Sequence, residues 1–217
     1  TIHFSFLPND QRECLFVDNI WSLPKLDYFC LIGDGIMIIP TKISSSLKSL
    51  TIYMDEFKLN NIIHLVEYTP YLKYLSVYLD STIDSHYVPS TLLLLTNLKV
   101  SMHNVDNNLI MKLFENTPNL YRLNFSSSST IIDGHKWEHI IRNHLPKLKI
   151  FQLGMKEIIL SSQNQYEYVI RLIESYQTSF WINDHQWFVR CFTELNTIHL
   201  LTIDNKFTDW IGYSRGL

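Results

Sequence analysis

A pattern of the form L-x-x-L-x-L, in which Ile, Val, Phe or Met can replace Leu, recurs seven times in this chain. The copies begin 21 to 28 residues apart, which matches the roughly 20–29 residues of a leucine-rich repeat. One match would mean little, but seven copies with one period predict a stack of similar units. The first positions are Thr1, in a degenerate copy that continues with Phe4 and Phe6, then Leu26, Leu47, Leu72, Leu95, Leu120 and Leu148.

The segments between the copies predict amphipathic helices, because their apolar residues recur three and four positions apart. Asp or Asn often stands near the start of such a segment as a candidate N-cap, and Pro often follows its last turn. Residues 81–95 have the poorest pattern, since Pro89 and several β-branched residues interrupt it, and we expect a partly irregular connection there. The four predicted helical segments are residues 9–24, 55–70, 105–118 and 133–146.

Each unit is therefore predicted to be a helix followed by a proline and a strand. Such a unit cannot bury the apolar faces of both its helix and its strand alone. Stacked neighbours would join their strands in one parallel sheet with the helices behind it. We expect an α/β fold over residues 1–160, a curved, right-handed leucine-rich-repeat solenoid of about seven repeats. Residues 161–217 instead predict one helix and two β-strands, which we interpret as a C-terminal cap over the end of the array.

Composition and charge narrow the possible partners and compartment. The net charge is −3 and the basic residues are scattered, which disfavours nucleic acid as the partner. The three cysteines, Cys14, Cys30 and Cys191, form no CxxC pair and suggest reduced thiols in the cytoplasm or nucleus. No apolar run approaches the length of a membrane span, so no membrane partner is expected.

The sequence contains one match to a catalytic signature, and we expect it to be incidental. His135, Glu138 and His139 form H-x-x-E-H, which on a helix would align two zinc ligands and a general base. The neighbouring Trp137 and Ile140, however, have the spacing of core residues. The signature keeps a zinc hydrolase as a remote alternative, but we predict no catalytic residue, metal or cofactor.

The strand positions that alternate with the core leucines are the candidate binding surface. In a solenoid they would point away from the helices onto a concave face. Tyr and Arg are enriched among them, as they are at protein-binding hot spots, although Tyr is also favoured on strands in general. The predicted contact residues are Tyr28, Tyr53, Tyr74, Tyr78, Lys99, Arg122, Asn124 and Gln152.

Two blocks of sequence carry a family resemblance. One runs from Asp133-Gly134 through Trp137-Glu138 to Leu153, and the other joins Phe180-Trp181 to His185-Gln186-Trp187-Phe188-Val189. Together they resemble a large family of F-box-type leucine-rich-repeat proteins. The resemblance implies that the repeats hold a protein substrate while an N-terminal F-box recruits a cullin-based ubiquitin ligase through its adaptor.

This chain departs from that family pattern in two ways. It begins inside the array without an F-box of about forty residues, and its units lack the Asn or Cys that follows the strand in the consensus repeat. We therefore predict a non-catalytic protein-binding module. The substrate-recognition region of an F-box ubiquitin-ligase subunit is the first hypothesis, and an interaction scaffold unrelated to ubiquitin ligation is the alternative.

Overall fold

The computed structural model describes residues 2–3, 17–33, 39–54, 57, 59–80, 91–103, 107–159 and 165–203. Within these ranges, nine strands form a single mostly parallel sheet. The strands are Ile2–His3 (β1), Tyr28–Gly33 (β2), Ser49–Met54 (β3), Tyr74–Asp80 (β4), Asn97–His103 (β5), Arg122–Ser127 (β6), Ile150–Ile158 (β7), Phe188–Glu194 (β8) and Thr197–Ile203 (β9).

Helices lie between several of the strands, which makes the fold mixed α/β. Residues 17–21 are helical and fall in the first predicted segment. The other three predicted segments each contain an observed helix, and the irregular connection expected around Pro89 lies largely outside the described residues. The helices are Leu59–Glu67 (α1), Asn107–Glu115 (α2), Gly134–His144 (α3) and Gln165–Ser175 (α4), and a short π-helical turn follows at Phe180–Asp184.

Strands β1 to β7 are neighbours in chain order and run parallel, as the repeat predicts. From β2 to β7 the register matches equivalent positions of successive copies, so that Leu50 pairs with Leu75, Leu75 with Leu98, and Leu98 with Leu123. All four side chains are buried. The common register arises because each strand must turn the same alternate residues toward one core.

The register predicted for the opening copy was wrong. The pattern Thr1, Phe4 and Phe6 would place Phe6 beside Leu31, but Ile2 pairs with Leu31 and His3 with Ile32. Side chains alternate along a strand with a period of two, so a slip of four residues leaves the same set facing the core. The apolar alternation of a degenerate copy therefore cannot determine its register. Phe4 and Phe6 lie outside the described residues.

A tight turn precedes each of the strands β2, β4, β5, β6 and β7. The amide of Leu26 donates to the carbonyl of Leu23, and the amide of Leu148 donates to that of Leu145 in the same way. Pro24 and Pro146 occupy the second position of these turns, where the fixed φ of proline is favourable and its missing N–H costs nothing. The prolines therefore shape the turns as well as ending the helices.

The C-terminal residues extend the same sheet. The predicted helix is α4 and the two predicted strands are β8 and β9. Strand β9 pairs antiparallel with β7, and β8 pairs antiparallel with β9, so β8 forms the edge. The division of the chain at residue 160, with a cap beyond it, stays a prediction.

The apolar core lies between the helices and one face of the sheet, called here the back face. Its most aromatic part surrounds Trp137 of α3, whose ring contacts Phe125 and Phe151 at centroid distances of 5.0 and 5.1 Å. Trp181 and Trp187 lie 5.9 and 5.3 Å from Phe151. The two blocks of sequence that carry the family resemblance thus meet in one aromatic cluster.

Candidate functional site

The front face of the sheet is the face opposite the helices, and it consists of the strand side chains that alternate with the core residues. Parallel pairing aligns them in three rows, with neighbouring strands about 4.8 Å apart. The first row is Tyr28, Ser49, Tyr74, Asn97, Arg122 and Ile150, the second is Cys30, Thr51, Ser76, Lys99, Asn124 and Gln152, and the third includes Ile32, Tyr53, Tyr78, Ser101 and Ser126. All eight predicted contact residues therefore lie on this face.

Tyrosines cover the front face over β2 to β4. Tyr28 is 52% exposed, whereas Cys30 and Ser76 are buried although they point away from the helices. The hydroxyls of Tyr53 and Ser76 lie 3.1 Å apart. A hydrogen bond with Cys30, and then partial burial, raise the pKa of the Tyr28 phenol. The tyrosine rings thus shield the small polar residues beneath them and present aromatic surface to solvent.

The middle of the front face is polar. The side-chain amide of Asn124 donates to the side-chain oxygen Oε1 of Gln152 over 3.1 Å, which links β6 to β7. Arg122 begins β6 and is exposed. Tyr78 and Lys99 also interact with neighbouring groups. These contacts hold polar side chains in defined positions, which lowers the entropy cost of forming a complex.

Strands β8 and β9 contribute front-face residues that were not among the predicted contact residues. Leu201 lies opposite Gly154, and Arg190 lies opposite Leu201. The rings of Phe192 and His199 stack 4.8 Å apart, and the Arg190 guanidinium carbon is 5.7 Å from the Phe192 centroid. Alternation in "TIHLLTI" was the available signal, but alternation alone does not identify the strand that β9 joins.

The H-x-x-E-H residues lie on the other side of the molecule, on α3. His135 and His139 are exposed and line an apolar cleft of about 330 Å³ between α2 and α3. The Glu138 carboxylate accepts hydrogen bonds from Arg142 Nε at 2.9 Å and from Thr178 Oγ1 at 2.8 Å. Glu138 therefore joins α3 to the segment after α4. In the part of the chain that the structure describes, no three His, Cys, Asp or Glu side chains form a group that could hold a metal ion.

The two cysteines within the described ranges are free thiols. Cys30 is buried and forms a hydrogen bond with Tyr28, and Cys191 is partly buried on β8. Burial raises the pKa of the Cys191 thiol, which disfavours the nucleophilic thiolate.

Comparisons with models of protein families, with curated proteins and with solved structures found no match. The similarity to F-box-type leucine-rich-repeat proteins therefore stays a hypothesis. Among the helices of the described residues, none is long and apolar enough to cross a membrane. Function is accordingly inferred from this chain's own residues.

Proposed function

We propose that this protein is a non-catalytic protein-binding module, built as a leucine-rich-repeat solenoid, that holds its partner on the front face of the sheet. The observation that carries this proposal is the common register of β2 to β7, which aligns the alternate side chains of six strands in two continuous rows and in a third row interrupted between β3 and β4. Such rows form a preformed surface, so little ordering is required when a partner binds.

The chemistry and size of the front face both favour a protein partner. Tyrosines, Arg122 and amides combine apolar contact area with hydrogen bonding, and Tyr and Arg are enriched at hot spots. Strands β2 to β9 at about 4.8 Å spacing span about 34 Å, and the front-face side chains along each strand extend over on the order of 20 Å. The resulting flat area, about 700 Å², is of the same order as the 800 Å² that each partner contributes to a stable complex.

The more specific proposal is that the module recognises substrates for an F-box ubiquitin ligase. It is supported by the two resemblance blocks, which form one aromatic cluster around Trp137. An interaction scaffold would use the front face in the same way without a ligase. Recovery of the cullin-ligase adaptor with the full-length protein distinguishes the two, and a ligase role would place the protein in the cytoplasm or nucleus.

Affinity capture from lysate with quantitative mass spectrometry tests the front face. The double substitution Tyr74→Ala with Arg122→Ala removes an aromatic and a cationic group from the first row. We expect the captured amount of the principal partner to fall at least about tenfold, since hot-spot truncations cost roughly 2 kcal/mol or more each. The thermal midpoint should change little, because Arg122 is exposed and Tyr74 is only partly buried.

The matched control is Tyr166→Ala with Arg171→Ala on α4. This pair removes the same two side-chain types, both exposed, from the helical side of the molecule. It should leave capture unchanged. Normal capture by the front-face variant, or equal loss in both variants, would show that partners bind elsewhere.

A further inference from the structure

A polar pocket of about 430 Å³ lies at the edge of the sheet where β2 to β4 begin. Three consecutive copies of the repeat contribute to it. Its lining includes Pro24, Lys25 and Asp27 from the first of these copies, Lys48 from the next, and Tyr71 and Lys73 from the third. The pocket is therefore separate from the rows of the front face, although Asp27 and Lys73 directly precede Tyr28 and Tyr74.

The backbone explains why lysines from different copies meet there. The carbonyl of Asp27 accepts from the amides of Lys48 and Ser49, both at 3.0 Å. The carbonyl of Lys48 accepts in the same way from Lys73, at 2.8 Å, and from Tyr74, at 3.0 Å. Asp27, Lys48 and Lys73 consequently occupy one row with about 4.8 Å between neighbouring strands. Lys25 reaches the pocket from the turn that precedes β2.

The charges in this pocket do not balance. Asp27 forms an ion pair with Lys48, with 2.7 Å between Oδ1 and Nζ. Lys25 and Lys73 have no ion pair among the described residues. Three lysines and one aspartate leave a local charge of +2 in a chain whose net charge is −3. Neighbouring like charges repel, and a bound anion would relieve that repulsion.

We propose that this pocket binds the dianionic phosphate group of a phosphate monoester. Such a group carries about −1.5 to −2 charges at neutral pH, which matches the excess of two lysines. Lysine is a good phosphate ligand as a point charge, and a carboxylate would neutralise only half of the excess. The proposal does not depend on protein binding at the front face.

The size and walls of the pocket favour an ester over a bare ion. Its volume of about 430 Å³ falls within the roughly 300–1,000 Å³ of small-molecule sites. The Pro24 ring and the half-exposed Tyr71 ring provide apolar and hydrogen-bonding surface beside the lysines. Nucleic acid fits less well, because the lysines form one pocket and not a basic stripe along the molecule.

Calorimetric titration of the intact chain tests the proposal. The probes are inorganic phosphate, O-phosphoserine, and a short Gly-Ala peptide that contains one phosphoserine, with serine and the unphosphorylated peptide as blanks. We expect saturable binding of O-phosphoserine and none of serine. Tighter binding of the phosphopeptide than of O-phosphoserine would identify a phosphorylated protein chain as the source of the ester. Tighter binding of O-phosphoserine would identify a small, metabolite-sized ester.

Matched substitutions locate the binding. Lys73→Gln removes one of the two uncompensated charges, and it should weaken O-phosphoserine binding roughly tenfold, as should Lys25→Gln. Lys149→Gln makes the same change at the equivalent position of a later copy, before β7 and away from the pocket, and should alter affinity less than about twofold. Absence of saturable binding by every phosphorylated probe, or equal weakening by Lys149→Gln, would overturn the proposal. Unchanged thermal midpoints confirm that the variants are folded.

Discussion

Asp18 illustrates how one buried carboxylate can connect two segments. Its oxygens accept hydrogen bonds from the amide and hydroxyl of Thr41, at 2.7 and 2.5 Å. Burial by itself raises the pKa of Asp18, but the Thr41 hydrogen bonds and the nearby Lys42 outweigh it and hold the pKa below its ordinary value. The charged form is therefore the stabilising form, and it ties the helical residues 17–21 to the chain that precedes β3.

The lowered pKa predicts a loss of stability in acid. The contribution of Asp18 is present above the unfolded-state pKa of 3.8 and disappears as the pH falls through the lower folded-state value. Asp18→Asn should reduce the unfolding free energy at pH 7 by about 1–2 kcal/mol and flatten its decline below pH 4. Urea unfolding of both proteins between pH 7 and pH 2.5 measures this.

Asp27→Asn is the control for that prediction. Asp27 is largely exposed and pairs with Lys48 at the surface, so its removal should cost about 0–1 kcal/mol. If the unfolding free energies of Asp18→Asn and the wild type change with pH in parallel at all pH values, the lowered pKa of Asp18 is contradicted.

At the scale of elements, the contact between α3 and α4 depends on the absence of a side chain. A Cβ atom at Gly134 would lie 2.2 Å from the backbone oxygen of Ser175. The Gly134 amide donates to Ser175 Oγ at 2.8 Å, and the Trp181 indole donates to the Gly134 carbonyl at 3.2 Å. The start of α3 therefore packs directly on the end of α4, and the Asp-Gly pair of the resemblance block has a structural role.

Gly134→Ala should consequently destabilise the protein. In a helix with free space around the glycine, this change usually increases stability, by at most about 1 kcal/mol. The sign of the effect therefore shows whether the space at Gly134 is occupied. We expect a loss of about 1–3 kcal/mol in urea unfolding, as for other overpacked contacts. His135→Ala, at the exposed next position, should change stability by less than about 0.5 kcal/mol. A neutral or stabilising Gly134→Ala would show that the two helices are farther apart.

The elements themselves were largely predictable from local chemistry. The helix expected over residues 133–146 is observed at Gly134–His144, because Asp133 caps it and Pro146 lies in the following turn. Asp133 accepts a hydrogen bond from the Lys136 amide at 2.9 Å, as an N-cap does. The place of β9 beside β7 was not predictable, since the alternation of a strand does not specify its partner.

At the scale of the whole molecule, the repeat predicted the order of the strands but only part of the surface chemistry. One period with one apolar pattern implies parallel neighbours in chain order, and β2 to β7 follow it. The rows on the front face followed from the same alternation. The lysine pocket could not be predicted from this alternation. It combines a turn position, that of Lys25, with a position at the start of a strand, that of Lys48, and these two positions belong to different copies. The slipped register of β1 shows that a degenerate copy carries less information than a full one.

Leu123→Ala tests whether the copies share one cooperative interior. Leu123 is fully buried on β6, and it pairs with Leu98 on one side and Phe151 on the other. The truncation should lower the unfolding free energy by about 2–5 kcal/mol. Since each unit of a stacked array is stabilised by its neighbours, the loss should extend beyond β6.

Hydrogen exchange with mass spectrometry should therefore show faster exchange in β5 and β7 as well as in β6. The control Leu93→Ala, at an exposed turn position, should change exchange in neither β5 nor β7. Faster exchange confined to β6 would mean that the units are stabilised separately, and the front face would then not be one rigid surface.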